Sequence, residues 1–246
     1  YITKQSCLTN FLESWKLFVS SQPRGLCRLH VIADNCSESL FRFVQSSVPR
    51  VGGHVERTSF GNGAASFRRG LDLASSADYD DDCRVYFVED DYLHKEDAIC
   101  CIFEGLDVCD FCTGYDHPDK YGARFGPQGE RLVVEGIPLV QRGAEQGTKV
   151  YLGRSCHYRT SNSTTMTFAC KCSTLRRAKN TMSRWISGSH PHDFQMFLDL
   201  IQTQGFELCV TLPARSTHGE TAFLAPNFEG DSWENIGKGA VLKSKK

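Results

Sequence analysis

The segment Val85-Tyr-Phe-Val-Glu89-Asp90-Asp91-Tyr92 constrains this chain more than any other. Its apolar residues read as a buried strand that runs directly into three adjacent carboxylates. In open α/β sheets, ligands bind at the carboxyl ends of the strands. Like charges at neighbouring positions repel, and a divalent cation is their natural neutraliser. On an extended chain Glu89 and Asp91 share one side and Asp90 faces the other. Such oxygen ligands suit Mg²⁺ or Mn²⁺ held by one or two carboxylates together with substrate phosphates. The plainer reading is an acidic turn leading into the next helix, whose N-terminus also favours carboxylates. The apolar strand immediately ahead favours the metal.

Periodicity supplies the surroundings. Leu8, Phe11, Leu12, Trp15, Phe18 and Val19 predict an amphipathic helix, capped at Thr3 or Ser6 and ended by Pro23 and Gly25. A buried strand over 29–33 ends in Asp34, and a helix follows over 37–47. A strand over 55–59 comes next, then a helix opened by Gly61-Asn62-Gly63. Beyond the strand at 84–88, a helix over 95–105 and a strand from Val108 complete a strand–helix alternation. This pattern predicts an α/β fold with a mainly parallel central sheet and helices on both faces. After Tyr115 the chain reads as irregular: a loop over 116–130, Gly-punctuated strands over 132–160 and a buried strand over 165–169. Helices over 175–186 and 193–203 and a last strand over 208–212 follow. The 246 residues, 40% hydrophobic, predict one domain over 1–226 and a polar C-terminal tail over 227–246, expected to fray.

Charge and cysteine usage narrow the classes. With 28 basic and 29 acidic residues the chain lacks the field of a dedicated nucleic-acid binder. No apolar run approaches the length of a membrane span. The 12 cysteines lie mostly in apolar segments, as expected of buried, reduced thiols. That favours a cytoplasmic setting, with the lumen of the secretory pathway left open. Cys109 and Cys112 fall in a segment read as a strand, where residues three apart face opposite sides and do not close on one zinc.

Further candidates follow other strands. Gly61, Asn62 and Gly63 offer backbone N–H groups to a phosphate, although Gly-Asn-Gly is more often a turn. Asp34 ends its strand, and Asp116 and His117 open a polar loop. Asp193 starts a helix, where capping is the ordinary role. His218 follows the last strand, a place where histidines are usually surface residues.

In this order the residues resemble the nucleotide-sugar-dependent glycosyltransferases of the GT-A fold, especially bacterial and viral members with a Glu-Asp-Asp-Tyr segment. The resemblance covers most of the span from Tyr1 to Pro226, and only Glu89-Asp90-Asp91-Tyr92 is specific. It implies a Rossmann-like domain whose first strand would precede Tyr1. It implies that Asp34, Gly61, Asn62, Gly63 and Asp90 bind the nucleotide sugar, and that Glu89, Asp91 and His218 hold Mn²⁺ or Mg²⁺. It further implies Asp193 as catalytic base and Asp116 and His117 on the acceptor side. The expected partners are a nucleoside-diphosphate sugar and a glycan, lipid or protein acceptor. One departure is that the helix after Gly63 reads Ala64-Ala-Ser-Phe-Arg68-Arg69, where the family's loop motif ends in Arg and Asn. Two alternatives stay open: a metal-dependent phosphoryl or nucleotidyl transferase using the same carboxylates, and an inactive domain of the same fold that binds a glycan or a partner.

Overall fold

The computed structural model describes residues 2–76, 78–118, 123–125, 131–133, 148–226 and 232–244. The first helical stripe forms α1 (Lys4–Ser20), closed by a capping box in which Thr3 and Ser6 exchange hydrogen bonds. β1 (His30–Asp34), α2 (Glu38–Ser47) and β2 (His54–Thr58) then make a parallel βαβ unit, in register from His30 opposite His54 to Asp34 opposite Thr58. Ala33 packs with Leu12 of α1 and with Val44 and Val48. α3 (Gly63–Ala74) follows, then β3 (Arg84–Phe87), β4 (Tyr92–His94), α4 (Ala98–Gly105) and β5 (Phe111–Thr113).

The second half adds two short strands, β6 (Ala123–Phe125) and β7 (Arg131–Val133), paired with each other. β8 (Val150–Leu152), β9 (His157–Ser161), β10 (Phe168–Lys171) and α5 (Cys172–Arg184) come next. The hairpin of β11 (Ile186–Ser187) and β12 (His190–Pro191) leads into α6 (Asp193–Gln204), which Gly205 ends in a left-handed conformation. β13 (Leu208–Leu212), β14 (Ser216–His218) and α7 (Trp233–Ser244) complete the chain.

The fold is α/β with a mixed sheet. The six-stranded sheet runs β3–β10–β5–β13–β9–β8. Parallel pairing, expected to predominate, occurs in this sheet at β5–β13 and in the separate β1–β2 pair, and the other contacts of the six-stranded sheet are antiparallel. The late strand β10 enters between β3 and β5 against their direction, a long-range pairing that local alternation does not reveal. Side chains alternate faithfully across the sheet. Phe111, Phe168, Cys170 and Leu208 enter one core with α3, α5 and α6. Cys112, Ala169 and Cys209 enter a second core with α4. Helices thus cover both faces, as expected.

Two expectations need correction. Cys109 precedes β5 instead of lying on it, and both Cys109 and Cys112 contact Cys209 within one core, so they do not face opposite sides. Of the C-terminal stretch, expected to fray, the described residues are 232–244. They form α7 against α1, with Trp233 buried and its indole N–H donating to the Ala225 carbonyl at 2.9 Å. No helix among the described residues is long and apolar enough to cross a membrane.

Because Trp233 is 3% exposed, Trp233→Ala should remove about 3–5 kcal/mol of stability, read as a lower urea midpoint. A variant as stable as the parent would mean that α7 does not dock on the domain.

Candidate functional site

The carboxylates at the end of β3 are placed by a second pair of strands. β4 and β14 run antiparallel with Tyr92 opposite His218. That register brings the His218 Nε2 to 3.3 Å from Asp91 Oδ2. Gly219 lets the backbones approach: a Cβ there would stand 2.7 Å from the Asp91 carbonyl oxygen, too close for any side chain. The Glu220 amide donates to His218 Nδ1 at 3.2 Å. An accepting Nδ1 leaves the proton of neutral histidine on Nε2, where it is donated to Asp91. His218 therefore orients the Asp91 carboxylate in this arrangement, and would offer Nε2 to a cation only as the other neutral tautomer, with its proton on Nδ1 in place of the Glu220 contact.

Each of the three adjacent carboxylates meets a different environment. Asp91 is held below the usual carboxylate range: crowding opposes its charge, but the His218 hydrogen bond and Lys4 outweigh it. Its other oxygen, Oδ1, is buried without a hydrogen-bond partner. An orphaned carboxylate oxygen beside further acidic groups is the donor chemistry that a divalent cation satisfies. Asp90 forms an exposed ion pair with Lys4 at 2.7 Å. Glu89 retains exposed surface, yet the protein packed around its carboxyl, then Asp91, pushes its pKa up to about 8. Asp90 and Asp193 add to that rise. Asp193 is thus brought within electrostatic reach of Glu89, although it starts a helix far along the chain from it. His192 occupies the N-cap position, and Asp193 is the first helical residue.

Asp34 and the glycine segment lie at the same edge of the fold. Cys36, just past β1, has its thiol pKa raised by burial and then by Asp90 and Asp34, so the carboxyl ends of β1 and β3 are neighbours. The Asp34 carboxylate accepts from the Phe60 amide at 2.6 Å, the Gly61 amide at 3.0 Å and the Thr58 hydroxyl at 3.0 Å. Those donors outweigh its burial and hold it below the usual range. Gly61 needs its positive φ of 70° for this turn. Asn62 caps α3, accepting from Ala65 N at 2.8 Å. Gly63 opens the helix, and the next amide, Ala64, donates to Ser189 of the β11–β12 turn. The segment has well-defined structural work in holding β2, α3 and this hairpin together.

Asp116 is buried in an ion pair with Arg159, both side chains nearly closed to solvent. His117 remains half-buried, its ring 5.3 Å from that of Tyr115. Sequence reasoning missed Lys4, whose partner is 86 positions away. It also missed the ring cluster of Tyr92, Tyr115 and Phe223 around His218. Only the Tyr beside the carboxylates offered any signal. Among the described residues, no three His, Cys, Asp or Glu side chains converge as a finished metal centre. A cavity of about 1000 Å³ between α1, α7 and the turn before α4 is bordered by none of the candidate residues.

No protein-family model matches the sequence, and no curated protein is significantly similar to it.

The Asp34 contacts generate a pH-dependent prediction. Asp34→Ala should cost about 1.5–3 kcal/mol at neutral pH, the range for hydrogen bonds to a charged group. A depressed carboxyl pKa contributes stability above its ordinary value of 3.8 and loses it as pH falls through the lower folded value. The gap between parent and variant should therefore shrink below pH 3.8 in urea titrations. A gap independent of pH would show that the carboxylate charge does not hold this turn.

Proposed function

We propose that the chain is a divalent-metal-dependent glycosyltransferase of GT-A type, moving a sugar from a nucleoside diphosphate to an acceptor hydroxyl. The observation that carries this reading is the buried, unpartnered Asp91 Oδ1 at the carboxyl end of β3, with Glu89, His218 and Asp193 around it. Glu89 and Asp91 would hold Mn²⁺ or Mg²⁺, and His218 would join them through Nε2 as the tautomer protonated on Nδ1. The ion would supply Lewis-acid stabilisation for the charge on the leaving nucleoside diphosphate. Asp193 would accept the proton of the attacking hydroxyl, as general bases do. Lys4, beside Asp90 and Asp91, adds positive charge where a diphosphate would approach.

The nucleotide would lie across the Gly61–Gly63 turn. With the Asp34 carboxylate already occupied by two amides and a hydroxyl, its part would be to fix that turn. The acceptor would enter beside His117, since Asp116 is ion-paired in the interior.

Isothermal calorimetry with Mn²⁺ and nucleotide sugars tests the reading. Asp91→Asn should abolish metal-dependent donor binding and keep the fold, because it removes one of several repelling charges. Asp193→Asn should lower turnover about 10²–10⁴-fold with donor affinity nearly intact. Unchanged Mn²⁺ affinity in Asp91→Asn would remove the metal assignment, and full turnover in Asp193→Asn would remove the base.

A further inference from the structure

Five cysteines meet in the core that packs on α4: Cys101, Cys109, Cys112, Cys156 and Cys209. All are free thiols, and none has a part in the site at the end of β3. Two of them, Cys101 and Cys156, are held against each other from both sides. Cys156 lies between Ser155 and Tyr158, and α4 grips each of these. Glu104 Oε2 accepts from the Ser155 amide at 3.2 Å, and Oε1 accepts from the Arg154 amide. The Tyr158 hydroxyl donates to the Cys101 carbonyl at 2.7 Å. A Cβ at Gly153 would collide with the Cys156 carbonyl oxygen and the Tyr158 ring, so the turn needs glycine to fold back this tightly. Within that frame the Cys101 thiol hydrogen-bonds to the Cys156 sulfur. Cys101 is fully buried, and Cys156 keeps 8% of its surface. A cavity of about 300 Å³ lined by Glu104, Gly153, Arg154 and Tyr158 borders the same turn.

We propose that Cys156 and Cys101 are a site of reversible oxidation, at which a hydroperoxide oxidises Cys156 and Cys101 closes the disulfide. The proposal is independent of the transferase reading. The Cys156 sulfur attacks the peroxide: an S–O bond forms, the O–O bond breaks, and the other oxygen leaves with the thiol's proton as water or an alcohol. The Cys101 sulfur then attacks the sulfenic sulfur. An S–S bond forms, and hydroxide departs with the Cys101 proton as water. Asp97 Oδ2, 3.6 Å from the Cys101 sulfur, is placed to carry that proton. Two thiols are oxidised and one peroxide is reduced. Reactive thiols are those held as thiolates with some access to solvent. Hydrogen bonding from Cys101, then Tyr158 and Arg215, draws the Cys156 thiol below its ordinary value against the effect of burial. Arg215 is itself nearly closed to solvent, its Nε 3.6 Å from Asp97 Oδ2. Cys109 is as exposed as Cys156, but its hydrogen bond to Cys209 and burial push it the other way. The disulfide would fasten α4 to the turn before β9 and close the loop that carries β5, β6, β7 and β8.

The test uses the whole chain, reduced and desalted, with hydrogen peroxide as the probe at neutral pH. Peptide mapping under acidic, non-reducing conditions should find the Cys101 and Cys156 peptides joined and lighter by two hydrogens. Dithiothreitol should release them. In Cys101→Ser the sulfenic acid has no partner, so dimedone should label Cys156, about tenfold faster than the exposed Cys100. Cys156→Ser should leave Cys101 unlabelled. Melting temperatures confirm that both variants fold. Should either fail to fold, timed peroxide pulses on the parent, mapped peptide by peptide, read the same order of reaction without a substitution. A first linkage between Cys109 and Cys209, oxidation of Cys156 no faster than that of Cys100, or oxidation of the parent's Cys156 that ends without a bond to Cys101 would overturn the proposal.

Discussion

The pairing of β4 with β14 is the contact on which the site depends. Setting Tyr92 opposite His218 delivers an imidazole from the end of the chain to a carboxylate from its middle. It also places the Glu220 amide on Nδ1 and starts the turn that carries Phe223. A slip by one residue would send His218 to the other face of the ladder. Gly219, lying over the Asp91 carbonyl, is the residue that permits so close a crossing. Asn10 supports the arrangement from behind, its side chain bonding both the backbone N–H and the carbonyl of His94 and thereby fastening α1 to β4.

Three consecutive carboxylates are tolerated because each is treated differently. Asp90 points to solvent and meets Lys4. Asp91 receives a hydrogen bond from His218 on one oxygen. Glu89, crowded by protein and then by Asp91, has its pKa pushed up to about 8, so it holds its proton more readily than an ordinary carboxyl. Repulsion is thus spread over an ion pair, a hydrogen bond and a retained proton. An approaching cation would find Asp91 ionised and Glu89 able to ionise, and binding would release protons.

Much of the fold was legible in the sequence because its signals are local. The stripe from Leu8 to Val19, the cap at Thr3 and the glycine after Gln204 describe helices whose physics lies within a few residues. The Glu89–Asp91 cluster was legible for the same reason. What escaped was decided by distant partners. The insertion of β10 between β3 and β5 depends on pairing across about eighty residues. Asp116 has the composition of a site residue, yet Arg159 draws it into the interior. Asp34 looked like a ligand group at a strand end, and its oxygens are taken by a turn 26 residues away. Trp233 sits in a polar tail, but the surface that buries it belongs to other elements. The ring cluster around His218 could not be seen because Tyr92, Tyr115 and Phe223 come from three separate segments.

The central claim is that Asp91 at the end of β3 is the anchor of a metal site. The direct measurement is anomalous diffraction at the manganese edge from crystals soaked in Mn²⁺ with a nucleoside diphosphate. The account predicts one strong peak within coordination distance of Asp91 Oδ1. No peak at Asp91, with manganese bound elsewhere or not at all, would contradict it.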